Sequence, residues 1–207
     1  MSLSEFIAAR VLPVRRATES LAEPLATEDF GIQSMPEVSP PKWHWAHTSW
    51  FFENFILVPF CRDYRAFHPE FGFLFNSYYK TVGEHFPRNR RGLMSRPTVA
   101  EVREYRAHVD RFLAARPENL HGTDAATMRF LLDLGCHHEQ QHQELLLTDI
   151  LHLFWSNPLK PVYRNGPGRK NSAGPAAMRW HEFSGGLDAI GFEGGGFSFD
   201  NERPRHQ

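Results

Sequence analysis

The residues from Thr123 or Asp124 to about Phe154 read as one long helix, and this helix constrains everything around it. Its apolar stripe runs Met128, Leu131, Leu132 and Gly135, then Leu145, Leu146 and Leu153, a 3.6-residue period that other helices have to cover. In the middle of that stripe, where leucines belong, stand His138 and His142. Buried imidazoles need partners, because an unpaired polar group in a core costs free energy.

The neighbours that would cover it are also helical in pattern. Ser39 and Pro40 read as an N-cap and first-turn proline for a helix to about Val58, stopped by Pro59, with Trp43, His47, Trp50, Phe51, Asn54 and Leu57 facing inward. A further helix is expected over Phe71 to His85. Thr98 to Glu101 forms a capping box for one through Tyr105, Val109 and Phe112 to Arg116. Ser4 to Ala22 is helical in pattern, with Pro13 expected to start or kink it. These elements predict a mainly α chain, an antiparallel bundle over residues 1–157.

The composition then changes. Of 15 Gly and 15 Pro, 14 fall in residues 158–207. Residues 158–179 read as a linker, and residues 180–207, with Phe197 and Phe199 in weak alternation near a run of glycines, as the opening of a β-rich unit. That last stretch is too short to bury a core alone.

Several function classes fall away. With 23 Lys and Arg against 24 Asp and Glu, the net charge of −1 argues against nucleic-acid or membrane-surface binding. The 41% hydrophobic and 14% aromatic content excludes a disordered chain. The most apolar run, Leu145 to Trp155, is broken by Thr148, Asp149 and His152 and falls well short of the about 20 residues that span a bilayer. Two cysteines, Cys61 and Cys136, make no disulfide framework, and Met1 to Val14 is not a secretory signal, so a cytoplasmic protein is expected.

On a helix, residues four apart are separated by about 400°, so His138 and His142 share one face and can bind one metal ion. His47, on the inward stripe of another helix among Trp43, Trp50 and Phe51, is the candidate third ligand. His44, about 60° away on that helix, reads as an exposed histidine. His138-Glu139-Gln140-Gln141-His142 also matches the H-E-x-x-H zinc-protease pattern, but the glycine and histidine of its metzincin extension are here Leu145 and Thr148. Glu144 lies about 200° beyond His142 and suits a supporting bond rather than ligation. Three imidazoles with open positions fit catalytic zinc or non-haem iron alike. On this reading His138→Ala or His142→Ala abolishes metal retention and His44→Ala does not.

Three segments carry a family resemblance: SPPKWHWAHTSWFFENFIL (Ser39 to Leu57), FNSYYKTVGEHFPRNRRGLMSRPT (Phe75 to Thr98) and HHEQQHQE (His137 to Glu144). Together they resemble the ergothioneine-biosynthesis sulfoxide synthases, or hercynine oxygenases, over nearly all of residues 1–160. GGFSFDNERPRH (Gly195 to His206) is similar to the start of that family's second domain. The resemblance implies a DinB-like antiparallel four-helix bundle, a linker and the beginning of an incomplete α+β, formylglycine-generating-enzyme-like domain. It implies Fe2+ held by His47, His138 and His142, with Glu144 closing the motif and Zn2+ as the alternative metal.

The implied reaction joins cysteine or γ-glutamylcysteine to trimethylhistidine (hercynine) through a C–S bond, with O2 as oxidant and a sulfoxide as product. Arginines such as Arg88 and Arg91, otherwise an ordinary solvated loop, become candidates for the thiol substrate's carboxylate. The aromatic residues Trp50 to Phe52, Tyr78 and Tyr79 read as packing. The family's second domain continues beyond the point where this chain stops at Gln207. The expectation is therefore the metal-binding part of the enzyme, its partner domain supplied in cis or in trans. The alternatives are a selenoneine synthase of the same fold, and a DinB-like zinc or nickel thiol transferase or binding module.

Overall fold

The computed structural model describes residues 1–115, 123–166 and 177–207. Met1–Arg164 forms one compact unit and Asn165–Gln207 a second. The first is helical. A capping box opens α1 (Leu3–Phe6): Ser2 accepts the Glu5 amide at 3.2 Å and Glu5 accepts the Ser2 amide at 2.7 Å. A π-helical turn (Ile7–Val11) leads into α2 (Leu12–Ala22), and a second one (Glu53–Leu57) joins α3 (Pro41–Phe52) to α4 (Val58–Phe60). The short α5 (Phe71–Leu74) precedes α6 (Val99–Ala115) and α7 (Ala125–Ser156). Thr98 caps α6 and Asp124 caps α7, both as the sequence indicates, while the predicted end of α6 at Arg116 lies outside the described residues.

Pro13 does not break its helix, the helix that Pro59 is expected to stop ends at Phe60, and π-turns accommodate both prolines. Proline has no N–H for the carbonyl four residues back, and its ring crowds that carbonyl. In each π-turn the amide just before the proline reaches five residues back instead, Leu12 to Ile7 and Val58 to Glu53, which widens the turn ahead of the ring.

The central element is α3, which packs against α2, α6 and α7. All 12 of its residues are buried, Lys42, His44, His47, Thr48 and Ser49 included. Its cap is shifted by one residue from the expected position, with Pro40 at the N-cap and Pro41 in the first turn. Ser39 is thereby left free to bond elsewhere. A helix with no solvent face has to satisfy its polar groups inside the protein.

One carboxylate does much of that. Glu139, on α7 and fully buried, accepts from Arg15 Nη1 at 3.0 Å, Arg106 Nη2 at 2.9 Å and Thr18 Oγ1 at 2.6 Å. The two guanidiniums continue to α3, Arg15 to Ser49 Oγ at 2.9 Å and Arg106 to Trp45 O and Thr48 Oγ1 at 2.9 Å each. Asp110 also pairs with Arg15, and Glu19 with Arg106 at 3.1 Å. Burial opposes the Glu139 charge, but Arg15 and Arg106 outweigh it and bring the carboxyl to about 2.

Above this network Gly135 lets α7 approach α3. A Cβ there would stand 2.7 Å from Phe52 Cε1 and 3.2 Å from Phe51 Cε1. The helix expected over Phe71 to His85 is not formed beyond Leu74. The buried Asn76 amide instead holds a loop, donating to the carbonyls of Tyr79, Gly83 and Glu84 at 3.3, 2.9 and 3.3 Å, with Gly83 at φ 134°. A short aromatic run cannot be told from helix by periodicity when a buried side chain supplies the loop's hydrogen bonds.

Residues 158–164, expected in the linker, include Tyr163 and Arg164, which donate to the Leu21 and Ser20 carbonyls at the end of α2 at 2.5 and 2.8 Å. In the second unit an antiparallel bridge pairs Ile190 with His206, and Asp200–Glu202 makes a 3-10 turn. Among the described residues there is no strand, and no helix is long and apolar enough to cross a membrane. Cys61 and Cys136 are free and buried.

Two outcomes follow for stability. Glu139→Ala strands two buried guanidiniums and is expected to lower unfolding free energy by about 3–5 kcal/mol, against within about 0.5 kcal/mol for Glu144→Ala, measured by urea denaturation. Gly135→Ala gains up to about 1 kcal/mol of helix propensity and loses about 1–3 kcal/mol to overpacking. Since Phe51 and Phe52 are themselves locked in the core, the net expected is destabilisation.

Candidate metal centre

His47 from α3 and His138 and His142 from α7 each present a ring nitrogen, all within 4.8 Å of one another. The centroid distances are 4.9 Å for His47 to His138, 4.6 Å for His47 to His142 and 4.7 Å for His138 to His142. The three residues expected as ligands are therefore brought together, two by one turn of α7 and one by the close α3–α7 packing.

Each ring is held differently. His47 is stacked between Trp43 at 4.4 Å and Trp50 at 5.5 Å, and its Nδ1 lies 2.6 Å from the Phe75 carbonyl. A carbonyl only accepts, so Nδ1 carries the proton and Nε2 keeps its lone pair. The Phe75 carbonyl lies just past the end of α5, where no continuing helix claims it. His142 Nδ1 is 2.9 Å from His44 Nδ1, which again leaves Nε2. His138 packs against Phe51 at 4.8 Å, and its Nδ1 is buried with no hydrogen-bond partner.

An orphan nitrogen of this kind costs about 1–3 kcal/mol and calls for a ligand. Burial brings the His138 imidazole to about 4. Burial first, and neighbouring histidines after it, hold His47 and His142 well below the ordinary range. All three are thus neutral at neutral pH, the form that ligates metal. Three nitrogen donors beside an open pocket fit a divalent ion such as Fe2+ or Zn2+.

The pocket, of about 290 Å³, is walled by the loop that replaces the expected helix, through Ser77, Tyr78 and Tyr79, and by Arg88 and Arg91. Tyr79, assigned to packing from sequence, lines this pocket as well as contacting Trp50, Phe51 and Phe55. Arg91, expected in a solvated loop, is 2% exposed. Its guanidinium lies 3.4 Å over Trp43 and donates to Ser39 Oγ at 2.9 Å and Ser77 Oγ at 3.3 Å, while its Nε has no partner. Burial, and then Arg88, bring it down to about 9, so it remains a cation. Among the described residues no carboxylate lies within ion-pair distance of it. Arg88 is exposed at the rim, its Nη1 3.5 Å from Tyr78 Oη.

Two sequence readings need correction. His44 is not an exposed histidine but 2% exposed, because α3 has no solvent face. Glu144 is exposed and on the far side of α7, so it gives the site no support. The acid that does reach the site is Asp149, seven residues after His142 on the same face, with Oδ2 2.9 Å from His44 Nε2. Glu139, the would-be base of an H-E-x-x-H protease, is committed to Arg15 and Arg106 and faces away from the pocket. Its signal was a glutamate one position off the apolar stripe.

A pH dependence follows from the buried imidazoles. Their folded-state values are lowered, so the unfolded chain takes up protons first as pH falls. The stability of the metal-free chain is expected to be level above about 6.5 and to decline towards about 4. Urea midpoints across that range check this, and His138→Phe should flatten the decline.

The DinB superfamily model matches residues 13–146, a span that contains His47, His138 and His142. Among curated proteins none matches the chain. Because the match extends over well more than half of its residues, the chain belongs to the DinB superfamily.

Proposed function

We propose that this chain carries the metal centre and thiol-side pocket of an iron(II)- and O2-dependent sulfoxide synthase. The observation that carries the reading is a buried Arg91, with no carboxylate within ion-pair distance among the described residues, in the same pocket as three neutral imidazoles. In this reading the four long helical segments are the family's four-helix bundle, and residues from 180 open its formylglycine-generating-enzyme-like domain. The sequence resemblance over Ser39 to Leu57, Phe75 to Thr98 and His137 to Glu144 supports the same assignment.

The substrates would be trimethylhistidine and cysteine or γ-glutamylcysteine. A thiol and an imidazole C–H combine with O2 to give the C–S-bonded sulfoxide and one water, so the four electrons that O2 accepts all come from the substrates. Bound iron(II) would supply the O2 chemistry and accept the thiolate. The chain's own residues do the rest. Arg91, held over the Trp43 ring and aimed by Ser39 and Ser77, receives a carboxylate in a dry setting where the ion pair is strong. Arg88 at the rim adds charge that attracts an anionic thiol. His47, wedged between two tryptophans, keeps its ligand nitrogen aimed while substrates exchange. Tyr79 gives the pocket a phenol.

A zinc or nickel thiol transferase would use the same three histidines, and metal identity separates the two. The chain reconstituted anaerobically with Fe(II) and treated with NO is expected to give a stoichiometric high-spin iron–nitrosyl EPR signal that is lost in His47→Ala. Added γ-glutamylcysteine should shift that signal, at a concentration about tenfold or more higher in Arg91→Met, equivalent to about 1.4 kcal/mol of lost binding. Tight zinc with no nitrosyl signal would favour the transferase. A selenosugar shifting the signal where γ-glutamylcysteine does not would favour selenoneine synthesis.

A further inference from the structure

His44 stands between a carboxylate and one histidine of the metal centre. Its Nε2 is 2.9 Å from Asp149 Oδ2 and its Nδ1 is 2.9 Å from His142 Nδ1. The same Asp149 oxygen accepts the Ser39 amide at 2.8 Å. His44 and Asp149 are 2% and 9% exposed, so water does not compete for these bonds.

The positions of the protons follow by elimination. A carboxylate oxygen that already accepts an amide is an acceptor, so His44 Nε2 carries the hydrogen. In a neutral imidazole whose Nε2 bears the hydrogen, Nδ1 has a lone pair and no proton. Two nitrogens 2.9 Å apart share one hydrogen, and only His142 Nδ1 can supply it. A neutral His142 protonated on Nδ1 has its lone pair on Nε2. This is the less favoured tautomer of free imidazole side chains in water, so the protein has to impose it.

We propose that His44 and Asp149 are positioning residues of the metal centre, a hydrogen-bonded chain Asp149–His44–His142 that fixes His142 in its Nδ1–H form and presents Nε2 to the metal. His44 sits one turn before His47 on α3, and Asp149 two turns after His142 on α7. The helix pair that supplies the ligands thus also supplies the device that orients one of them. The partner that fixes a ligand's second nitrogen sets both its ring orientation and its basicity. The expectation that His44→Ala leaves metal retention intact is replaced by this one. The proposal rests on the three histidines being a metal centre.

The test begins with the metal-free 207-residue chain carrying nitrogen-labelled histidine. Two-bond proton–nitrogen NMR correlations at neutral pH identify which ring nitrogen of His142 bears the proton. His142 is expected as Nδ1–H in the wild type and shifted towards Nε2–H in His44→Leu. His44→Gln should restore it, since its amide oxygen can accept from His142 and its NH2 can donate to Asp149.

Co(II) titration should then show affinity lower by about 10- to 100-fold in His44→Leu, with an altered ligand-field spectrum, and largely recovered in His44→Gln. His142 found as Nε2–H in the wild type overturns the proposal, and that measurement needs no variant to fold. Unchanged Co(II) affinity and spectrum in His44→Leu overturn it as well, while leaving the metal centre standing. A wild-type chain that takes up no Co(II) overturns the metal reading and the positioning role together.

Discussion

The buried Glu139 carboxylate is the constraint around which the helical unit is arranged. Its charge survives full burial only because Arg15 and Arg106 meet it there, and those guanidiniums survive only because they also bond α3. A buried carboxylate that accepts from two guanidiniums and a hydroxyl tolerates little displacement, so it specifies helix rotation more than it adds net stability. Adjacent helix residues point about 100° apart. With Glu139 turned towards the two arginines, His138 and His142 are turned towards α3 and the pocket. The placement of these two imidazoles is thus set by a charge that does not itself line the pocket.

The same packing makes α3 unusual. A helix buried on every side has no face on which to leave Lys42, His44, His47, Thr48 or Ser49, and each is bonded instead. Lys42 reaches the Met94 and Pro97 carbonyls, Thr48 accepts from Arg106 and Ser49 from Arg15, and the histidines take up the site. A second buried carboxylate, Glu53 in the π-turn, is satisfied by the hydroxyls of Tyr64 and Tyr105 at 2.5 Å each. Polar groups in this core therefore come mostly as closed networks, and of the three unpaired exceptions among the described residues, Asn76 Oδ1, Arg91 Nε and His138 Nδ1, the last two belong to residues that line the pocket. Unpaired buried nitrogens on two residues of one pocket are groups that a ligand there can satisfy.

The pocket combines a neutral nitrogen triad with a buried cation. Neutral ligands leave a bound divalent ion its full charge, which draws anionic ligands to its open positions. A guanidinium nearby then orients a molecule that is anionic at both ends, as a thiolate with a carboxylate is. This pairing makes the sulfoxide synthase reading more specific than superfamily membership, since a metal triad alone would serve several chemistries.

Features that depend on residues three and four apart were legible in the chain: the long α7, the caps at Thr98 and Asp124, and the shared face of His138 and His142. Local geometry fixes these, because helix periodicity and capping need no distant partner. His47 was legible for a related reason, as a polar residue inside an aromatic stripe. Only the folded protein decided which polar side chains would be buried. Arg15 meets Glu139 across 124 residues of sequence and His44 meets Asp149 across 105, and nothing local marks either pair. The same holds for Asn76, whose amide replaces a helix by a loop, and for Arg91, whose neighbours in sequence are other solvated arginines. Burial of a polar group depends on partners contributed by other helices, so its outcome is settled only when those helices pack.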